Sequence, residues 1–231
     1  MKSKLFFLIL LTLSSVSSVF SQNDWEKNPY QNWTKEQVVK ILSDSPWVKT
    51  KNYQEVLSDS PQLGVVYSPL TAARITLRSA LTVRQALLRQ RQLDAKYDKM
   101  NEANKNKFDE KNMALLNCPA CKDYYVVSVL YRFFAMDNKN YVNDRKKYVY
   151  LSNDSGDRRE LVEFAVLSDR DNEIVFYFPR RDEKGEDLLT SKSKKLIFNF
   201  GLKGLDGKSS FPFEKADFDV SKLTVNGEII F

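Results

Sequence analysis

Residues 124–134, Tyr-Tyr-Val-Val-Ser-Val-Leu-Tyr-Arg-Phe-Phe, constrain the fold more than any other stretch of the chain. Aromatic and β-branched residues dominate it, and such side chains suit a pleated, half-buried surface. The stretch follows directly on Cys118-Pro-Ala-Cys121, which holds both cysteines. Upstream the pattern is mostly helical; downstream it is β. The expected fold is therefore α+β, with a helix-containing part over residues 22–117 packed on an antiparallel β-sheet or sandwich over residues 118–231.

In the first part, Thr34-Lys-Glu-Gln37 has the form of a capping box, in which hydroxyl and amide each satisfy a free backbone N–H. The helix it opens carries Val38, Val39, Ile41 and Leu42, and Ser45-Pro46 stops it. Residues 22–32 read as a linker whose Trp25 or Tyr30 docks on the body, and Trp47 as a residue that packs back over the helix end. Residues 48–62 read as polar. Residues 63–67 are a short strand candidate, and residues 74–78 alternate, with Ile75 and Leu77 on one face and Arg74, Thr76 and Arg78 on the other. Thr82-Val-Arg-Gln85 repeats the capping-box signature. Val83, Ala86, Gln90, Leu93, Tyr97 and Met100 then predict one stripe of a long helix. Residues 101–112 are too polar for core, whether as a solvated continuation or as a loop, and residues 113–116 return to it.

Beyond residue 134, strands are expected over residues 148–151, 160–167, 173–178, 195–200, 218–225 and 228–231. Asp169-Arg-Asp-Asn172 reads as a four-residue loop between two of them. Asn226-Gly227 signals a two-residue hairpin, because both positions of that turn need positive φ, and Asp206-Gly207 is a weaker signal of the same kind.

The first 21 residues have the form of a secretory leader. Lys2 and Lys4 supply the basic start, residues 5–13 the apolar core, and Val19-Phe20-Ser21 a cleavage site before Gln22. An uncleaved anchor is the alternative, but the apolar run is short for a bilayer. Removal of the leader lowers the net charge from +6 to +4, a mild excess that argues little for an anionic partner. The expected location is periplasmic or extracellular, with no transmembrane span in the mature chain. Export makes a disulfide plausible. Asn32-Trp-Thr34 and Asn153-Asp-Ser155 are glycosylation sequons, relevant only in a host that uses them.

The chain has no histidine, which excludes Ser-His-Asp and Cys-His nucleophilic sites and two-histidine zinc motifs. Cys118 and Cys121 admit four readings: a structural disulfide, free thiols, a redox pair, or half of a zinc site shared between chains. Redox chemistry needs a lowered thiol pKa, normally at a helix N-terminus; here a strand is expected after the pair, which favours the structural disulfide. Five arginines, 74, 78, 84, 89 and 91, occur without an acid between residues 74 and 92. Arg74, Arg78, Arg84 and Arg91 are candidates for an anion-binding surface toward nucleic acid, lipid headgroups or a polyanionic glycan. A solvated charged face is the simpler reading, and the absence of interleaved aromatics speaks against single-stranded nucleic acid. Gly201-Leu-Lys-Gly204-Leu-Asp-Gly207 lacks the setting of a phosphate loop, Asp154, Asp157, Asp169 and Asp171 lack calcium-loop spacing, and Ser191-Lys-Ser-Lys194 lacks the companion motifs of a serine–lysine enzyme. No metal and no cofactor are expected.

Trp33, Gln37, Leu42 and Ser45-Pro46-Trp47 near the start, Arg74, Ser79-Ala80, Val83-Arg84 and Ala86 in the middle, and Phe218-Asp-Val-Ser-Lys-Leu-Thr-Val-Asn-Gly-Glu228 at the end form a scattered pattern. It resembles a group of exported bacterial proteins without known activity. The resemblance implies a cell-envelope setting and nothing catalytic. The expectation is a non-catalytic binding or structural module whose partner the sequence does not name, with another envelope protein or an anionic glycan as the candidates and nucleic acid disfavoured. The alternative is a thiol-disulfide oxidoreductase using Cys118 and Cys121.

Overall fold

The computed structural model describes residues 25, 27–53, 56–60, 64–67, 71–131, 146–167, 173–200, 215–225 and 228–229. The leader, the 169–172 loop, the glycines at 201–207 and the 226–227 turn lie outside them.

In chain order the described elements are α1 (Lys35–Ser43), β1 (Val48–Tyr53), β2 (Val56–Ser60), β3 (Gly64–Tyr67), β4 (Thr71–Leu77), α2 (Leu81–Asp94) and α3 (Glu102–Asn117). They continue as β5 (Tyr124–Tyr131), β6 (Val149–Asn153), β7 (Arg158–Glu160), β8 (Glu163–Leu167), β9 (Glu173–Pro179), β10 (Lys195–Phe200), β11 (Lys215–Asp219), β12 (Thr224–Val225) and β13 (Glu228–Ile229). The fold is α+β. Nine strands form two antiparallel sheets, ordered β1-β4-β5-β9-β8 and β11-β10-β6-β7, and two small hairpins pair β2 with β3 and β12 with β13. The first sheet thus takes β1 and β4 from upstream of the cysteines and the other three strands from downstream.

Period-two alternation sets the core. Ile174, Phe176 and Phe178 of β9 point inward, as do Leu196, Phe198 and Phe200 of β10. Their rings meet between the sheets, with Phe176 5.5 Å from Phe200 and Phe178 6.0 Å from Phe198. Ile75, Leu77, Val127 and Val129 extend this core across β4 and β5, and Val38 and Ile41 seat α1 on it. Trp25 and Trp47 are both buried there and stack edge to face at 6.4 Å, as their placement at linker and helix end suggests.

The Thr34 capping box is present in full: Gln37 N donates to Thr34 Oγ1 at 3.3 Å and Thr34 N donates to Gln37 Oε1 at 2.9 Å. The second one is not. Ala80 is the N-cap of α2 without a side-chain bond, and Thr82 lies buried inside the helix. The backbone sets that start, because Ser79 N donates to the Val126 carbonyl and ties the turn to β5. The predicted long stripe is also corrected. α2 ends at Asp94, and Lys96 follows in the left-handed region at φ 56°. The buried face of α2 runs through Thr82, Val83, Ala86, Leu88, Arg89 and Gln92, while Gln90 is exposed.

Residues 102–117 form the separate helix α3, capped where Asn101 Oδ1 accepts from Asn104 N at 2.9 Å. Residues 48–62, read as polar, contain β1 and β2. β1 is an edge strand paired with β4 from Val48 opposite Thr76 to Tyr53 opposite Thr71, so its Lys49-Thr-Lys-Asn52 can stay wet on one side. The expected strand over 160–167 divides into β7 and β8, which belong to different sheets, and that over 218–225 is broken by a 3-10 turn at Val220–Lys222.

Candidate functional site

The outward face of the first sheet carries a second, smaller apolar cluster. Val126 of β5 and Val175 and Tyr177 of β9 point away from the main core, joined by Tyr124 and covered by the two cysteines. Cys118 closes α3: its N–H donates to the Ala114 carbonyl at 3.0 Å, and its backbone sits in the left-handed region at φ 36°, ψ 73°. Pro119–Lys122 then makes one 3-10 turn, in which Cys121 N donates to the Cys118 carbonyl at 2.8 Å. The two cysteines form a disulfide with Cα atoms 5.3 Å apart, and Cys121 is buried. β5 begins two residues after this turn.

Arg180 holds the turn against the end of β9. Its Nε donates to the Cys121 carbonyl at 2.9 Å, its backbone N–H to the Asp123 carbonyl at 2.9 Å, and its guanidinium lies 4.7 Å from the centre of the Tyr125 ring. Nothing in the local sequence marks Arg180, since the pairing of β5 with β9 brings it to the cysteines from a separation of 59 residues.

Between α2, the end of α3, the disulfide turn and this outer sheet face lies a cleft of about 270 Å³. Leu87, Leu115 and Pro119 line its helical side; Val126, Val175, Tyr177 and the partly exposed Leu167 line its sheet side. Among the described residues two charged side chains border it, Arg78 and Arg84. Arg78 Nη1 is ion-paired with Glu173 Oε1 at 3.0 Å, both side chains being largely shielded. Arg84 is half-buried, and its Nη1 donates to the Leu116 carbonyl at the end of α3. Its Nε is buried with no partner, and among the described residues no carboxylate pairs with it. Burial pulls its guanidinium below the ordinary value, and the Arg180 charge adds to that effect.

The arginines singled out in the sequence therefore have separate roles. Arg78 and Arg84 come together at the cleft. Arg74 Nη1 instead donates to the Leu42 carbonyl at 3.3 Å, tying β4 to α1, and Arg91 Nη1 donates to Asn112 Oδ1 at 2.9 Å, tying α2 to α3. Arg89 is buried against Trp33 and Asp98. Among the described residues no three His, Cys, Asp or Glu side chains are placed to hold a metal ion, and no helix is long and apolar enough to cross a membrane. Comparison of the chain with protein families, curated proteins and solved structures finds no match.

Proposed function

We propose that the protein is an exported, non-catalytic module of the cell envelope or extracellular space, built to bind rather than to transform. The leader-like residues 1–21 and a disulfide in a two-cysteine chain support export, because disulfides persist in oxidising compartments.

One observation carries the non-catalytic reading: Cys118 sits at the C-terminal end of α3, and a strand follows the pair. The carbonyl end of a helix is its negative end, which disfavours a thiolate. Redox cysteines draw their low pKa from the opposite end. The buried Cys121 and the Arg180 bond to its carbonyl fit a pin that fixes the start of β5. The binding reading draws on the cleft beside the pin, where an apolar lining meets an arginine that pairs with no acid among the described residues.

Thiol titration of the unfolded, unreduced protein should find no free cysteine, and an insulin-reduction assay should show no turnover above a dithiothreitol control. Efficient turnover lost in Cys118→Ser would establish the oxidoreductase reading instead. Mass spectrometry of protein taken from its native envelope should find Gln22 as the first residue; retention of residues 1–21 would overturn export with cleavage.

A further inference from the structure

We infer that the cleft between α2, α3 and the outer face of the first sheet binds a small amphipathic carboxylate, its apolar body on the sheet and its head on Arg84. This rests on the reading of the protein as a binding module and names the ligand class.

The lining sets the body of the ligand. Leu87, Leu115, Val126, Val175 and Leu167 offer no polar group to satisfy, so an extended polar ligand would lose its hydration without recompense. At about 270 Å³ the cleft lies near the small end of ligand sites, enough for an alkyl or aryl chain of modest length and too little for an oligosaccharide.

Charge sets the head. A half-buried guanidinium is normally paired, because an unpaired charge withdrawn from water is costly. Arg78 has Glu173. Among the described residues Arg84 has the Leu116 carbonyl and no carboxylate, and its buried Nε is without a partner. A guanidinium without a carboxylate at an apolar wall makes a place for an anion. A planar carboxylate matches the donor fork of arginine, and charge-assisted bonds of this kind are among the strong ones. Arg180 is already engaged with Cys121 and Tyr125, whereas Arg84 borders the cleft and, among the described residues, spends Nη1 alone, on the Leu116 carbonyl, so its remaining donors are the ones offered to a ligand.

Octanoate and octan-1-ol share an apolar chain and differ in the charge of the head, which separates the two halves of the inference. Calorimetry and methyl NMR on the purified full exported chain are the readouts. Octanoate should bind at least about tenfold tighter than octanol, the equivalent of one charge-assisted hydrogen bond. Its shifts should centre on the methyls of Leu87, Leu115, Val126 and Val175. Arg84→Gln should remove the preference while leaving octanol binding unchanged. Leu115→Trp, which fills the cleft and keeps Arg84 in the sequence, should abolish both, with the fold checked by circular dichroism. Equal affinity of the two probes for the wild-type protein, shifts elsewhere, or no binding would each overturn the assignment. So would a hydrophobic peptide with a free C-terminal carboxylate that binds tighter than octanoate, since the occupant would then be a polypeptide end. The insulin assay reads the cysteines alone. A silent insulin assay with no octanoate binding removes this ligand and leaves the non-catalytic reading standing, whereas insulin turnover removes that reading whatever octanoate does.

Discussion

The Arg89 guanidinium grips the Asp98 carboxylate with two parallel bonds, Nη1 to Oδ1 at 3.2 Å and Nη2 to Oδ2 at 3.0 Å, while its Nε donates to the Trp33 carbonyl at 3.1 Å. One buried side chain thus ties the entry to α1, the body of α2 and the turn before α3.

Arg89→Ala should cost about 2–3 kcal/mol, because the Trp33 carbonyl loses its donor and the bidentate pair is lost. For a chain of this length that lowers the melting temperature on the order of 4–12 °C. Arg89→Lys should recover only part of it, since an ammonium cannot reproduce the fork. Equal melting of the Lys variant and the wild type would contradict the bidentate role.

The same pair carries a pH signature. The hydrogen bond from Arg89 holds the Asp98 carboxyl below its ordinary value of 3.8, although burial opposes this. A depressed carboxylate stabilises the fold at pH above its unfolded value and loses that contribution as the pH falls through the folded one. The gap in melting temperature between wild type and Asp98→Asn should therefore be full near neutrality and close on acidification below the ordinary aspartate range. A gap that stays constant into strong acid would refute the linkage. Asp98 is largely exposed, so solvent screening keeps the effect small.

Tyr97 gives the alkaline counterpart. Its hydroxyl donates to Asp109 Oδ2 at 2.8 Å, and the carboxylate pushes the phenol pKa up to about 12, with burial adding to it. A raised phenol pKa favours the neutral form in the folded state. Its contribution is present below the unfolded value of 10.0 and fades as the pH climbs toward the folded one. Ultraviolet titration of Asp109→Asn should show one tyrosine ionising earlier than in the wild type. If both proteins ionise identically, Asp109 does not hold Tyr97 in solution.

These contacts also show where the sequence was readable. The Thr34 box could be read because all its parts lie within one turn. The strands β4, β5, β9 and β10 were readable because alternation encodes which side is buried. The face of α2 was not, since Arg89 and Gln92 are buried polar residues that a hydrophobic count passes over: the partners of Arg89, Trp33 and Asp98, lie on other elements, and Gln92 accepts from Arg89 itself. The end of α2 carries no glycine or proline, because Lys96 itself takes the left-handed conformation. The cleft was out of reach for a further reason. It joins residues from Arg78 to Tyr177 through sheet pairing, and the run of arginines said only that charge was present, not that Arg84 Nε would be buried without a partner.

Asn153 opens a sequon, and the structure gives it another task. Its side chain is buried, with Oδ1 accepting from Ser155 N at 3.0 Å and Asp157 N at 2.9 Å and Nδ2 donating to the Leu188 carbonyl at 3.0 Å. Asn153→Ala should cost about 3 kcal/mol, because three backbone groups lose their partner together. In a glycosylating secretory host, peptide mapping of the folded product should find carbohydrate only at the exposed Asn32. A folded fraction modified at Asn153 would show that the pocket opens.

The disulfide closes so short a loop that little chain entropy is at stake, about 2 kcal/mol in the loop-closure description. The double variant Cys118→Ser, Cys121→Ser should still fold, because the Arg180 bonds to the Cys121 and Asp123 carbonyls keep the turn in place. Its melting temperature should fall by about 4–8 °C. Position 118 adds a second reading of the same site. Its φ of 36° lies where a side chain is strained and glycine is not, and it ends a helix, where glycine is the usual residue. Pairing Cys121→Ser with Cys118→Gly should therefore cost less than pairing it with Cys118→Ser. Thermal unfolding of the three proteins without reductant decides the matter. If the serine pair does not fold, the disulfide holds more of the domain than the start of β5. If glycine is worse than serine, the left-handed turn does not persist once the bond is gone.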